Sequence, residues 1–370
     1  MASTVIVPVL NLMEEGLGVS PTTARLIITT PAICIAIFSP LCGALIDRVG
    51  AKKPFVFGLL IYGVVGGAGL LIANYWLLIV SRVMLGICVA AIFPSMTVII
   101  FNLYEGQQRN NVMGWRTSSQ FSGNTVFPLL GGFLGTFSWH TPFAVYLLGI
   151  PVGITGFLAL PDIHRGVSQA AKHHGNQESV FRLIRNTPTL FIIYGVAFLS
   201  MVFLFAMILF MPKIVEQFGI ENPFHIGIFI SILWLTAIIT SLVYGRIKTL
   251  LSYRALLLII LFLWVAGFTV ISQASSIWMI VLSVVLIGLC QGIVFPMITL
   301  WAGESVPTSF LGRIISYNTT VLFIGQFLSP IILSPIASSW GLNAVFIVIG
   351  GVSALLLVAF LVFFRGRITS

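Results

Sequence analysis

The chain has 370 residues, of which 58% are hydrophobic and 7% are charged, with 18 Lys+Arg against 9 Asp+Glu. Soluble domains carry about 25% charged residues, so this composition excludes a cytosolic enzyme, a nucleic-acid-binding protein and a disordered chain. The apolar runs are continuous over about twenty residues, the length of a membrane-spanning helix, whereas the strands of a membrane barrel alternate over ~10 residues. The sequence therefore predicts an all-α polytopic membrane protein.

Eleven apolar stretches are long enough to cross a membrane as helices. A further apolar stretch at residues 2–13 is too short to do so. The predicted spans are 24–46, 54–73, 76–102, 112–137, 142–160, 189–212, 225–244, 254–272, 276–301, 313–337 and 342–364.

The loops between these spans alternate between basic and nearly Lys/Arg-free, with Lys213 as the main exception. By the positive-inside rule the basic loops are cytoplasmic, which predicts a cell-membrane protein with a cytoplasmic C-terminus. The net charge of +9 follows from this distribution and indicates no nucleic-acid partner. The basic set comprises Arg48, Lys52, Lys53, Arg109, Arg165, Lys172, Arg182, Arg185, Arg246, Lys248, Arg254, Arg313, Arg365 and Arg367.

Two parts of the chain match at a fixed offset of 202 residues. The repeat predicts two six-helix bundles related by a pseudo-two-fold axis along the membrane normal: residues 1–160 and 189–370, joined by a cytoplasmic linker at 161–188. Compared with the first helix of the second half, the first helix of the chain is incomplete by roughly fourteen residues. The residues that remain are too few to span a membrane. We expect either a start further upstream or a truncated product. The matches pair Gly43 with Gly245, Gly86 with Gly288, Cys88 with Cys290, Phe93 with Phe295, Pro94 with Pro296, Thr97 with Thr299, Gly123 with Gly325 and Pro128 with Pro330.

The strongest local motif is the turn at residues 43–53, which reads Gly-Ala-Leu-Ile-Asp-Arg-Val-Gly-Ala-Lys-Lys. It resembles the Gly-x-x-x-Asp-Arg-x-Gly signature of the major facilitator superfamily, with Ala51 where a basic residue is common. The resemblance implies a cytoplasmic gate between the two halves, and Asp47 is placed to pair with a basic residue or with the positive N-terminus of a facing helix. The alternative is a solvated basic turn. The gate motif consists of Gly43, Asp47, Arg48, Gly50, Lys52 and Lys53.

Arg82 lies inside the fourth predicted helix, where a charge costs several kcal/mol and normally faces a cavity or a partner. Its surroundings resemble the superfamily motif Arg-x-x-Gln-Gly, with Leu85 in place of Gln. The resemblance implies a role in proton coupling or substrate binding, and the alternative is a structural arginine.

The fifth predicted helix resembles the motif of the drug:proton antiporter branch, with Phe127 as the departure. This resemblance implies a multidrug or metabolite exporter, whereas ordinary close packing of a glycine-rich helix is the alternative. The matching residues are Gly114, Gly123, Pro128, Gly131 and Gly132.

A polar stripe on the same helix is the candidate wall of the substrate cavity. Arg116, Gln120 and Asn124 recur every four residues and so share one helix face. Asn318 and Gln326 match Arg116 and Asn124 at the offset of 202. The repeat thus predicts two polar patches that face each other across the pseudo-axis.

Together these features predict a monomeric secondary transporter, not an enzyme, that works by alternating access without a cofactor or metal. No phosphate-binding loop with Lys-Ser/Thr is present, so ATP is not the expected energy source. We expect proton-coupled efflux of a small amphipathic drug or metabolite. Because the predicted spans carry arginines and no acidic residue, uptake or exchange of a small anion is the alternative. A non-transporting truncated product is the third hypothesis.

Overall fold

The computed structural model describes residues 5–161, 183, 185–220 and 223–364. All regular secondary structure in this part of the chain is helical. Most of the predicted linker, 161–188, lies outside the described residues.

Twelve α-helices follow one another along the described chain, with short 3-10 segments at Val7–Val9, Ala68–Leu70, Thr141–Leu148 and Thr308–Phe310. The helices are α1 (Leu10–Leu17), α2 (Pro21–Val49), α3 (Lys52–Gly67), α4 (Tyr75–Leu103), α5 (Gly106–Gly135), α6 (Gly149–Ala159), α7 (Pro188–Gln217), α8 (Pro223–Leu250), α9 (Tyr253–Ser272), α10 (Ile277–Glu304), α11 (Leu311–Trp340) and α12 (Leu342–Phe364).

Each of the eleven predicted spans coincides with a helical segment, and ten segments of the described chain are long and apolar enough to cross a membrane. The exception is α5, which has 30 residues but carries Arg109, Arg116 and several amide side chains. A helix this polar is tolerated at membrane depth only where neighbouring protein or water covers it. The short α1, with eight residues, is not among the ten.

Polar caps fix the start of several helices. The Ser20 hydroxyl accepts a hydrogen bond from the Thr23 backbone N–H at 3.3 Å, and the Ser252 hydroxyl accepts one from Ala255 at 3.3 Å. The Asn74 side-chain oxygen accepts hydrogen bonds from the backbone N–H groups of Trp76 at 2.9 Å and Leu77 at 3.2 Å, in the first turn of α4. These caps satisfy donors that would otherwise lack a partner at a helix N-terminus.

The chain divides into two compact units. Unit 1 contains residues 1–105, 123–195 and 301–324, and unit 2 contains 106–122, 196–300 and 325–370. Each unit thus takes helices from both sequence halves. The long helices α5 and α11 pass from one unit to the other after residues 122 and 324, which are 202 positions apart. The division into bundles at 1–160 and 189–370 stays a prediction.

Apolar side chains fill the interior of each unit. In unit 1, residues of the N-terminal segment pack with α2, α4 and the segment before α6, and the fully buried members include Met13, Ile27 and Leu85. In unit 2, Trp264 is fully buried and its ring meets Phe203 edge-on at a centroid distance of 5.0 Å. The four cysteines are buried within helices.

Candidate functional site

The carboxylate of Asp47, at the last turn of α2, is bound to the first turn of α11 in unit 1. It accepts hydrogen bonds from the backbone N–H of Gly312 at 2.7 Å, the backbone N–H of Arg313 at 3.2 Å and the Arg313 Nε–H at 2.9 Å. The partner is therefore a basic side chain and a helix N-terminus at once, and both favour a negative charge. The Asp47 side chain is only 5% exposed and that of Arg313 is 32% exposed.

Two glycines of the same motif permit this geometry. A Cβ atom at Gly43 would lie 2.6 Å from the Ser316 Cβ and 2.7 Å from the Gly312 carbonyl oxygen, so the absence of a side chain allows α2 and α11 to touch. Gly50 ends α2 with φ 83° and ψ 163°, a conformation available in practice only to glycine. The chain then turns directly into α3.

The basic residues of the motif surround this turn. Arg48 and Lys53 are exposed, and the Lys52 Nζ lies 5.5 Å from the centroid of the Phe157 ring. In the structure the Asp47 carboxylate is paired with Arg313.

Arg82 in α4 is fully buried against aromatic rings. Its guanidinium carbon lies 4.7 Å from the centroid of Phe143 and 5.2 Å from that of Tyr146. Tyr146 in turn meets Tyr62 edge-on at 5.6 Å. Arg82 makes no ion pair with a carboxylate within the described residues. Its charge is held by the faces of the two rings and by a polar interaction with Tyr146.

The glycines of the α5 motif pack the helix against two different neighbours. In unit 2, a Cβ at Gly114 would lie 3.4 Å from the Tyr244 Cβ and would overlap the Ser241 carbonyl oxygen. In unit 1, a Cβ at Gly131 would lie 2.8 Å from the Val5 carbonyl carbon. Gly123 is buried, whereas Pro128 and Gly132 are half-buried. Close backbone approach is thus a real property of both ends of this motif.

The five predicted cavity residues are divided between the units. Asn124 and Asn318 belong to unit 1, and Arg116, Gln120 and Gln326 belong to unit 2. Asn318 is 2% exposed and its Oδ1 has no hydrogen-bond partner among the described residues, while the other four are half-buried. Their arrangement around one cavity stays a prediction.

Sequence reasoning missed the partners of the two buried charges. It counted Arg313 only as a positive loop residue, although Arg313 starts a predicted span and so lies at a helix N-terminus, where a carboxylate is stabilised. It gave no role to Phe143 and Tyr146. Nothing in their spacing distinguishes them from other aromatic residues in a chain with 30 Phe and 8 Tyr.

A family model described as Major Facilitator Superfamily matches residues 1–248 and 222–369. The curated Multi-drug resistance efflux pump PmrA of Streptococcus pneumoniae is 24% identical over 353 residues, which are 93% of this chain and 87% of that protein. The Bacillibactin exporter of Bacillus subtilis is 22% identical over 353 residues, 92% of this chain and 87% of that protein.

Two solved structures share the fold of this chain. The human organic anion transporter MFSD10 (TETRAN) matches with a TM-score of 0.77 at 18% identity, covering 95% of this chain and 88% of that chain. The proton:xylose symporter XylE matches with a TM-score of 0.74 at 12% identity, covering 100% of this chain and 92% of that chain.

Proposed function

The chain belongs to the Major Facilitator Superfamily, and from this premise we propose that it exports a small amphipathic drug or metabolite in exchange for protons. The superfamily consists of transporters, so the chain is a multi-pass secondary transporter of small molecules. Its fold is the predicted major facilitator fold, as the likeness to two solved transporters confirms. The single observation that carries the proposal is the capping of α11 by the Asp47 carboxylate.

In this proposal the Asp47 contact is the cytoplasmic latch of the transport cycle. Three donors converge on one nearly buried carboxylate, so the contact stabilises one arrangement of α2 and α11 and is lost as a whole when they separate. Release of the latch opens the path to the cytoplasm, which requires the basic loops and the C-terminus to be cytoplasmic. The Gly43 and Gly50 positions support the proposal because they permit the close helix contact and the turn.

Export as the direction is supported by the relatives. An efflux pump and an exporter each match more than nine-tenths of this chain. The close packing of Gly114 and Gly131 agrees with the antiporter-type motif that we infer for α5. We propose that Arg116, Gln120, Asn124, Asn318 and Gln326 line the substrate cavity.

Arg82 is the proposed coupling residue. A buried guanidinium held by aromatic rings keeps its charge at a depth where a charge is costly, so it is suited to attract an anionic group when the site hydrates. Protonation of that group would cancel the attraction and release it, which would link its movement to the proton gradient. The protein is proposed to act as a monomer in the cell membrane.

A second candidate function follows from the same residue. Within the described residues Arg82 has no carboxylate partner, so an anionic substrate would supply the missing negative charge. One solved structure of the same fold is that of the human organic anion transporter MFSD10. Uptake or exchange of a small anion is therefore the alternative to export of a small amphipathic drug or metabolite.

The test is a proton-release assay in everted membrane vesicles that hold a preformed pH gradient. Cationic, neutral and anionic probes are added in turn, and collapse of the gradient on addition reports antiport. We expect a response to amphipathic probes from the wild type, loss of it in Arg82→Ala, and strong impairment in Asp47→Asn.

The Glu105→Gln variant is the matched control, because it also turns a carboxylate into an amide but at an exposed position. A response in Arg82→Ala with the wild-type dependence on pH would contradict the coupling role. Transport of anions without proton release would favour the second candidate. If no probe gave a response or was transported although the protein was present in the membrane, both candidate functions would be refuted.

A further inference from the structure

Two interhelical hydrogen bonds occupy equivalent positions of the repeat. In unit 1 the Thr320 hydroxyl of α11 donates to the Ala36 carbonyl oxygen of α2 at 2.9 Å. In unit 2 the Ser118 hydroxyl of α5 donates to the Ile238 carbonyl oxygen of α8 at 2.8 Å. The donors and the acceptors each differ by the repeat offset of 202 residues. The same chemistry therefore joins two pairs of helices that come from different halves of the sequence.

We infer that Thr320 and Ser118 are a matched pair of gate residues, whose hydroxyls position α2 against α11 and α5 against α8 in the closed arrangement of this structure. The inference rests on the proposed function, because gating has meaning only in a protein that alternates between arrangements. It adds residues outside the signature motifs to the latch at Asp47.

The surroundings of the two bonds are those of a separable contact. On the α2 side the helices touch through Gly43, where a Cβ would lie 2.7 Å from the Gly312 carbonyl oxygen. On the α8 side the Gly245 carbonyl accepts a hydrogen bond from the Gln107 amide at 2.6 Å, and Gly114 touches the backbone of Ser241. Apolar side chains also meet in the second contact, where the ring centroids of Phe121 and Trp234 lie 5.4 Å apart. The hydroxyl bonds add a directional interaction that is lost when the helices separate.

Within the N-terminal half, α2 packs against α4 through the buried residues Ile35, Cys42 and Ala90, and Phe323 of α11 lies against the same cluster. Separation of α2 from α4 would expose apolar side chains at a cost that grows with area. The hydroxyl bond from Thr320 is the polar part of the α2–α11 contact, and both its donor and its acceptor can bind water when the helices separate.

The buried hydroxyl groups near the two contacts differ in their hydrogen-bond partners. In unit 2 the Ser241 hydroxyl lies 2.8 Å from the Ser118 hydroxyl and also donates to the Ile238 carbonyl at 3.0 Å. In unit 1 the buried oxygens of Ser39, Ser316 and Asn318 have no hydrogen-bond partner within the described residues. Of these, Ser39 is the repeat equivalent of Ser241.

Buried polar groups without partners destabilise the arrangement that buries them and gain hydrogen bonds when water enters. In unit 2 the Oδ1 of Asn110 on α5 is also buried without a partner within the described residues, so both contacts carry this kind of cost. Loss of the Thr320 hydroxyl is expected to raise the open-to-closed ratio about threefold, the size typical of one interhelical hydrogen bond in a membrane. Loss of the Ser118 hydroxyl is expected to open its own contact by less, because the Ile238 carbonyl keeps the hydrogen bond from Ser241 of the same helix and is not left without a partner.

The test measures distances in the full-length protein in lipid nanodiscs, without substrate or a proton gradient. In a background free of native cysteines, spin labels at positions 45 and 308 report on the α2–α11 contact, and labels at 108 and 242 report on the α5–α8 contact. The wild-type side chains at these positions are exposed. Thr320→Val removes the hydroxyl at nearly constant shape, and Thr320→Ser keeps it. Ser118→Ala and Ser118→Thr form the second pair.

We expect Thr320→Val to raise the long-distance fraction for the first label pair about threefold and Thr320→Ser to leave it at the wild-type value. An unchanged fraction in Thr320→Val, or an equal change in Thr320→Ser, would overturn the inference. A lowered melting temperature without a change in the distances would assign Thr320 a purely structural role and overturn it too. Since the readout uses no substrate, a normal distance response in a protein that transports nothing would reject the proposed function and leave the gate residues standing.

Discussion

Replacement of Asp47 by asparagine tests the latch with the smallest change of shape. The carboxylate accepts three hydrogen bonds, from the Gly312 N–H at 2.7 Å and from two N–H groups of Arg313 at 3.2 and 2.9 Å. Hydrogen bonds to a charged group contribute about 1.5–3 kcal/mol each. The amide keeps one accepting oxygen for the Gly312 N–H, but its NH₂ group repels the Arg313 guanidinium.

Because the Arg313 side chain is 32% exposed, solvent screens part of the lost ion-pair energy. We therefore expect the substitution to destabilise the closed α2–α11 contact by about 2 kcal/mol, which shifts the open-to-closed ratio roughly 30-fold.

The assay uses a cysteine at position 39 as the reporter, in a background from which the native cysteines have been removed. Ser39 is fully buried and lies on the face of α2 that carries Ala36 and Gly43 by the helical period, so we expect a membrane-impermeant thiol reagent to reach this position only when α2 and α11 separate. Labelling is expected to accelerate by about the 30-fold shift of the ratio in Asp47→Asn and to stay at the wild-type rate in Glu105→Gln. Wild-type labelling and wild-type transport in Asp47→Asn, with the protein present in the membrane, would refute the latch.

Two further predictions concern glycines and use thermal unfolding of the purified protein. Gly50→Ala forces a side chain into φ 83° and should cost about 1–3 kcal/mol of stability, which lowers the melting temperature by several degrees. Gly351→Ala is its control: no heavy atom lies within 4 Å of the added Cβ, so the melting temperature should stay equal or rise. Equal melting temperatures in the two variants would contradict the backbone argument. Gly131→Ala places a Cβ 2.8 Å from the Val5 carbonyl carbon and should lower both the melting temperature and the transport rate. Gly195→Ala, whose added Cβ meets open space, is its control. Full stability of Gly131→Ala would mean that this packing is unimportant.

The fold was largely predictable from the sequence because each spanning helix must carry its own apolar stretch. Lipid offers the backbone no hydrogen bonds, so length and hydropathy alone locate most spans. The same criterion explains the difference at α5, where Arg109 and Arg116 lower the hydropathy of a helix that is nonetheless 30 residues long. The apolar stretch at 112–137 was nonetheless sufficient to predict a span there.

The site was predictable only in part, since a motif identifies one side of a contact. The spacing of Asp47 and Gly43 indicated a turn with a partner, but the partner lies 266 residues away in Arg313. Nothing local in either segment encodes that distance. The aromatic setting of Arg82 escaped prediction for a different reason: cation–π contacts depend on ring orientation. Phe143 and Tyr146 lie three residues apart and share a face of a 3-10 segment, but nothing in the sequence links that face to Arg82.

The energetics of the α2–α11 contact connect these observations to transport. A carrier must keep its alternative arrangements within a few kcal/mol of each other, because a ligand shifts their populations only by its differential affinity. In the α2–α11 contact of this chain, the charged interaction lies at the end of α2, where Asp47 binds Arg313. Farther along α2, about 16 Å away at Ala36 by the helical rise, one hydroxyl bond from Thr320 is offset by buried polar oxygens that lack partners. We therefore expect loss of the Asp47 charge to shift the α2–α11 equilibrium further towards separation than loss of the Thr320 hydroxyl does.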